Sequence, residues 1–191
     1  MGNSLDAPIT SKASEKFVSS TGLTGGASAM QGWRTSMEDD HILRDIPSAT
    51  DHVLAAIFDG HGGALTANYL ATNLIETLES SPVWKQYLAS KNPNLLGEAL
   101  VDTFLKIDTK MLSGGNELRM QHCGSTAVVA VITPSHIVCA NAGDSRCVLG
   151  SNGDSKNLSE DHKPQNEIES RRVRAAGGES SLVIESHNQK E

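Results

Sequence analysis

The sequence predicts an α+β domain in which antiparallel sheet is covered by helices, and three observations carry that reading. Val53 to Phe58 is an apolar run with the length of a fully buried strand. Two later stretches repeat apolar residues every three or four positions, the spacing of a helix with one buried stripe. Beyond residue 124, short β-branched runs are separated by tight turn sequences, the pattern of hairpins.

Residues 1 to 22 are polar, rich in Ser, Thr and Lys and without sustained periodicity, and read as a flexible N-terminal arm. Ala27 to Met30 and Glu38 to Leu43 read as short strands joined through Gln31-Gly32-Trp33, with a turn over Pro47 to Asp51 before the buried strand. Ala67, Leu70, Ala71, Leu74 and Leu78 then mark a helix from Ala64 to Leu78. A second stripe, Leu96, Leu100, Phe104, Ile107 and Met111, marks another, with Pro82 and Pro93 read as breakers between the two. Ser125 to Ile132 and His136 to Ala142 form one predicted hairpin around Thr133-Pro134-Ser135. Arg146 to Gly150 and Ser155 to Leu158 form another around Asn152-Gly153, a pair that accepts positive φ. Asn166 as an N-cap and Gly177 as a left-handed stop bound a helix over 166–176.

A chain of 191 residues suffices for one domain with a real core. Its net charge of −7 offers no basic surface to nucleic-acid phosphates, so DNA and RNA are not expected partners. The longest apolar run, Ala127 to Ile132, falls far short of the roughly 18 residues of a spanning helix. Residues 1 to 20 lack a secretory signal pattern, so the cytoplasm is the expected compartment, with the nucleus and the membrane surface as alternatives. Gly2 follows Met1 as in myristoylated chains, but Asp6 stands where that pattern wants Ser or Thr. It reads equally as a plain glycine or as a weak, reversible membrane anchor. Cys123, Cys139 and Cys147 match no zinc spacing and read as reduced packing thiols.

Phe58-Asp59-Gly60-His61-Gly62-Gly63 places a carboxylate where the buried strand ends, ahead of a helix. Upstream, Arg34-Thr35-Ser36-Met37-Glu38-Asp39-Asp40-His41 supplies three consecutive acids and one arginine, residue types that suit metal ions together with phosphate. Taken singly, a triple acid is more often a solvated edge, and a histidine in a glycine-rich turn a surface residue. No cysteine is followed six positions later by arginine, which argues against a cysteine-nucleophile phosphatase. No Gly-Lys pair is present, which argues against a P-loop.

These two segments resemble the signature of the metal-dependent protein serine/threonine phosphatases of type 2C, the PPM family. The resemblance continues through Gly124-Ser125-Thr126-Ala127, Asn141-Ala142-Gly143-Asp144-Ser145-Arg146, Glu160-Asp161-His162-Lys163-Pro164 and Arg171 to Gly178, in the family's order. It implies an antiparallel β-sandwich flanked by helices over residues 23–178, here C-terminally incomplete. It implies a monomer acting in signal transduction on phosphoserine and phosphothreonine proteins, by water activated at two Mg²⁺ or Mn²⁺ ions. It assigns Asp59 as bridging carboxylate, Glu38, Asp39 and the Gly60 carbonyl as further metal ligands, and Asp144 to a third, weaker metal. It assigns Arg34 to the substrate phosphate and His61 to protonating the leaving oxygen.

Residues 179–191 depart from the family pattern and read as a disordered tail. The family's domain continues with further strands and two more metal-binding aspartates, whereas no aspartate here follows Asp161. Open strand edges and exposed apolar faces are therefore expected. Three readings follow: an active phosphatase, a catalytically impaired phosphoprotein-binding module that grips through Arg34, or a fragment with no independent role.

Overall fold

The computed structural model describes residues 4–113 and 122–179. Its centre is β4 (Ala49–Phe58), which pairs with β3 (Asp40–Ile46) on one side and β7 (Ala127–Ile132) on the other, with β8 (Ile137–Ala142) outside β7. All three pairings are antiparallel. Side chains alternate across this sheet: Leu54, Ala56 and Phe58 of β4 and Val129 and Val131 of β7 point to one face and are fully buried there.

Helices cover that face. On α1 (Leu65–Ser80) the buried stripe is Ala67, Leu70, Leu74 and Leu78, and on α3 (Pro93–Ser113) it is Leu96, Ala99, Leu100, Thr103 and Ile107. The prolines between the stripes do not merely break helices. Each opens one, because a first-turn residue needs no amide hydrogen and proline's fixed φ suits that position. Pro82 begins α2 (Pro82–Ser90), which the sequence reading omitted; Ser81 Oγ caps it by accepting from Val83 N at 3.2 Å and donates to Asp102 Oδ2 at 2.5 Å. From α2, Trp84 and Tyr87 reach the core. The Trp84 indole donates to Ser48 Oγ at 3.0 Å, and the Tyr87 hydroxyl meets the buried His52 ring at 2.5 Å.

The opposite face of the sheet meets a two-stranded layer of β1 (Ser4–Val18) and β2 (Thr24–Arg34). Gly25 lies against Leu43, where an added Cβ would stand 3.3 Å from the leucine Cδ2, and Ser20 N donates to Asp45 Oδ2 at 2.9 Å. This corrects the flexible-arm reading for residues 4–18, which run in register from Lys12↔Met30 to Val18↔Thr24. Backbone pairing, a Ser14–Ser28 hydroxyl contact at 2.8 Å and a Glu15–His41 contact at 2.9 Å hold the strand. Nearly all its side chains are exposed, so it has no apolar alternation to read.

Both later hairpins form as the sequence predicts. Between β9 (Val148–Ser151) and β10 (Asp154–Asn157), Asn152 and Gly153 take φ of 53° and 86°, the two-residue turn that matches strand twist. Asn166 Oδ1 caps α4 (Glu167–Ala175) by accepting from Ile168 N at 3.0 Å, and Gly177 ends it at φ 80°. Among the described residues, the edge strands of the four-stranded sheet are β3 and β8. Beside β8, Val101 and Leu105 of α3 and Ile137 line an open groove and are 59%, 66% and 40% exposed, in keeping with the expectation of open edges and wetted apolar faces. No described helix is long and apolar enough to cross a membrane.

Candidate active site

Two chain crossings build the hollow at one end of the sheet. Arg34 ends β2, the link from β2 to β3 carries Ser36, Glu38 and Asp39, and Asp59 follows β4, with Gly60 next in the short strand β5 (Gly60–His61). These residues line one cavity of about 220 Å³. Glu38 and Asp39 belong to the link rather than to a strand beginning at Glu38, since β3 starts at Asp40. A loop lets consecutive acids turn to one side, which strand alternation would forbid.

Gly60 permits the closure. An added Cβ would lie 2.2 Å from the Glu38 carbonyl oxygen and 3.3 Å from that of Gly63, so any side chain there would push the two crossings apart. The Asp59 backbone is clamped from β7's approach: Asp59 N donates to Thr126 Oγ1 at 3.1 Å and Thr126 N donates to Asp59 O at 2.9 Å. Thr126 Oγ1 also meets Ser145 Oγ at 2.6 Å. Thr126 thus positions Asp59. The sequence reading gave it no role, although it sits in one of the segments that carry the resemblance.

The electrostatics are those of crowded acids. Partial burial in the hollow, then the charge of Asp59 and a hydrogen bond with it, hold the Asp39 carboxyl above the ordinary aspartate value, while Arg34 pulls the other way. Glu38 is turned aside, its Oε1 accepting from Ser36 Oγ at 3.0 Å. Among the described residues no group of three or more His, Cys, Asp or Glu side chains is arranged to hold a metal ion as they stand. The donor chemistry nevertheless fits a hard divalent cation: carboxylates in contact, a third within the same hollow, and backbone oxygens around a glycine. The Arg34 guanidinium makes no ion pair among the described residues, leaving its planar fork available to an anion.

Two expected site residues lie elsewhere. His61 pairs with Gly124 of β6 (Gly124–Ser125), and its ring covers that glycine, where a Cβ would come within 2.3 Å of Nε2; it does not line the hollow. Asp144 follows β8, also outside the hollow's lining, with Oδ2 3.5 Å from Lys163 Nζ. Its loop is stitched to residues 160–163. Asn141 Nδ2 donates to the carbonyls of Gly143 and Glu160, His162 N donates to Gly143 O at 2.9 Å, and Arg146 holds Asp161 through two nitrogens at 3.0 and 2.8 Å. Gly2 lies outside the described residues.

The sequence profile of protein phosphatase 2C matches residues 23–188. The chain belongs to the protein phosphatase 2C family. The match runs past Gly178, where the motif-based resemblance stops. Protein phosphatase 2C homolog 2 of Saccharomyces cerevisiae is 41% identical over 185 residues, covering 93% of this chain and 38% of that protein. Protein phosphatase 1B of Homo sapiens is 39% identical over 199 residues, 98% of this chain and 40% of that one. The chain therefore spans about two-fifths of the length of these curated relatives. The crystal structure of serine-threonine phosphatase 2C from Toxoplasma gondii superposes with a TM-score of 0.69 at 23% identity, over 98% of this chain and 62% of that one, a likeness of fold. The α+β reading, with antiparallel sheets and flanking helices, is that of its neighbours.

Proposed function

We propose that the chain is a metal-dependent protein serine/threonine phosphatase whose substrates are phosphoserine and phosphothreonine in proteins. The observation that carries the reading is the convergence of Arg34, Glu38, Asp39 and Asp59 on one hollow. Asp59, Asp39, Glu38 and the Gly60 carbonyl would hold Mg²⁺ or Mn²⁺ in the hollow, and Asp144, which lies outside its lining, would serve a third, weaker position. When bound, the ions would supply a nucleophilic water at neutral pH and neutralise the phosphoryl oxygens. Arg34 binds two phosphate oxygens with its fork and orients the phosphorus toward the carboxylates. His61, exposed just beyond Asp59 with its ring over Gly124, would turn toward the hollow to protonate the departing serine or threonine oxygen. Gly60 and Thr126 fix Asp59 so that its carboxylate need not reorganise.

Release of phosphate from a phosphothreonine peptide at millimolar Mn²⁺ tests the proposal. Turnover that disappears in Asp59→Asn is expected, and a cooperatively folded chain without turnover would remove it. A second reading, a phosphoprotein-binding module, is favoured by the diversion of Glu38 to Ser36. It predicts phosphopeptide binding without turnover, lost in Arg34→Ala.

A further inference from the structure

Cys139 and Cys147 stand on either side of the Asp144 loop, and the phosphatase reading uses neither. On β8, Val138 and Ala140 pack toward the helical core, so Cys139 and Asn141 point to the other face of the strand. That face is overlain by the segment Leu158-Ser159-Glu160. The Asn141 side chain donates to Glu160 O at 2.8 Å, and the same segment holds Cys147, whose amide donates to Ser159 Oγ at 2.9 Å while Leu158 N donates to Cys147 O at 2.9 Å. One short stretch of chain therefore anchors both cysteine-bearing segments on the same side of the sheet. Both thiols are free and half-buried.

We propose that Cys139 and Cys147 are a thiol pair that a peroxide closes to an intramolecular disulfide across the Asp144 loop. In the first step a thiolate sulfur attacks one peroxide oxygen; the O–O bond breaks, hydroxide leaves and is protonated to water, and the sulfur becomes a sulfenic acid. In the second step the other sulfur attacks the sulfenic sulfur; the S–O bond breaks, the S–S bond forms, and a second water leaves. Two thiols and one hydrogen peroxide give one disulfide and two waters, so the balance closes with the peroxide as sole oxidant. The Cys139 thiol is pushed up to about 12 by burial and by the charge and hydrogen bond of the neighbouring Cys147. Cys139 is accordingly the poorer first nucleophile and takes the resolving role, with Cys147 meeting the peroxide. The closed bond tethers β8 to the loop whose Ser145 hydroxyl meets Thr126, the clamp on Asp59.

The test is oxidation of the folded chain with hydrogen peroxide, followed by thiol counting, intact mass and non-reducing peptide mapping. Reactive thiols should fall from three to one, the mass should drop by two hydrogens, and the peptides bearing Cys139 and Cys147 should be joined until dithiothreitol separates them. Amide exchange over residues 140–147 should slow in the oxidised chain. Cys147→Ser, or Cys139→Ser if the first variant does not fold, should form no such bond at the same dose. A link through Cys123, a link between chains, or three surviving thiols would overturn the pairing, and unchanged exchange with the bond formed would overturn the tether.

Discussion

Replacing Asp39 by asparagine in the metal-free chain should stabilise it. Asp39 and Asp59 are in hydrogen-bond contact, and asparagine keeps a donor for that contact while removing one of the two charges. Two unit charges about 4 Å apart repel by about 1 kcal/mol in water and about 4 kcal/mol at an effective dielectric near 20. Asp39 keeps an exposed side and Arg34 offsets part of the repulsion, so the lower figure, discounted for screening, applies: about 0.5–1 kcal/mol. For a chain of this size that is a rise of about 1–4 °C in Tm.

The sign of the pH dependence is fixed by the direction of the shift. A carboxyl held above its ordinary value in the folded chain binds its proton more tightly there than when unfolded. Its contribution to stability is complete at acid pH and is lost as pH rises through the raised value. Wild type and Asp39→Asn should therefore converge on acidification toward about pH 3 and separate toward neutrality. Mn²⁺ at about a hundred times its dissociation constant should stabilise the wild type by about 2.7 kcal/mol, and the variant by much less. Thermal melts with and without Mn²⁺ across that pH range make the measurement. A variant that melts lower than wild type at neutral pH, or that gains as much from Mn²⁺, would refute the reasoning.

Gly60→Ala should cost about 2–3 kcal/mol in urea unfolding, because its Cβ would meet the Glu38 carbonyl at 2.2 Å, and should abolish Mn²⁺ stabilisation. Thr126→Val keeps the volume but removes the partner of Asp59 N. It should cost about 1 kcal/mol by the same measurement and weaken Mn²⁺ binding without touching the hollow. Arg34→Lys should leave Tm unchanged and weaken phosphopeptide binding about tenfold by calorimetry, since an ammonium cannot present a planar pair of donors.

What the sequence made legible follows what burial writes into it. β4 and the stripes of α1 and α3 face the core, so their apolar spacing survives inspection; Asn152-Gly153 and Asn166 are legible because a positive φ and a helix start favour few residue types. β1 left no trace because both its faces are wet, and α2 was missed because a proline that opens a helix looks like one that ends it. In the site, the acids of residues 38, 39 and 59 and Arg34 were legible as a group. Asp144 reads as the same kind of acid, yet the chain brings Lys163 to it, and residue type alone cannot tell which cation a carboxylate will face. Thr126 was invisible for a different reason: its hydroxyl acts on a backbone amide, which any sequence position possesses.

The segments that carry the family resemblance divide by what they do in the fold. Only the segments around Arg34 to Asp39 and Asp59-Gly60 wall the hollow. The Gly124 to Ala127 segment pairs with Gly60 and His61 and clamps Asp59, and Gly143 takes φ 102° with its Cα against Thr126, where a Cβ would come within 2.7 Å of the threonine Cγ2. The segment around Gly143 to Arg146 is in turn bound to Glu160 to Lys163 by the hydrogen bonds and ion pairs already described. The order runs outward from the carboxylates: two loops that meet, one threonine that fixes them, one glycine turn that backs the threonine, and one charged segment that holds the turn. A site assembled in this way needs its distant segments to keep their spacing, because Asp59 is positioned through contacts that pass from one to the next. The full set of short segments in correct order is therefore stronger evidence for the hollow than the two that form its walls.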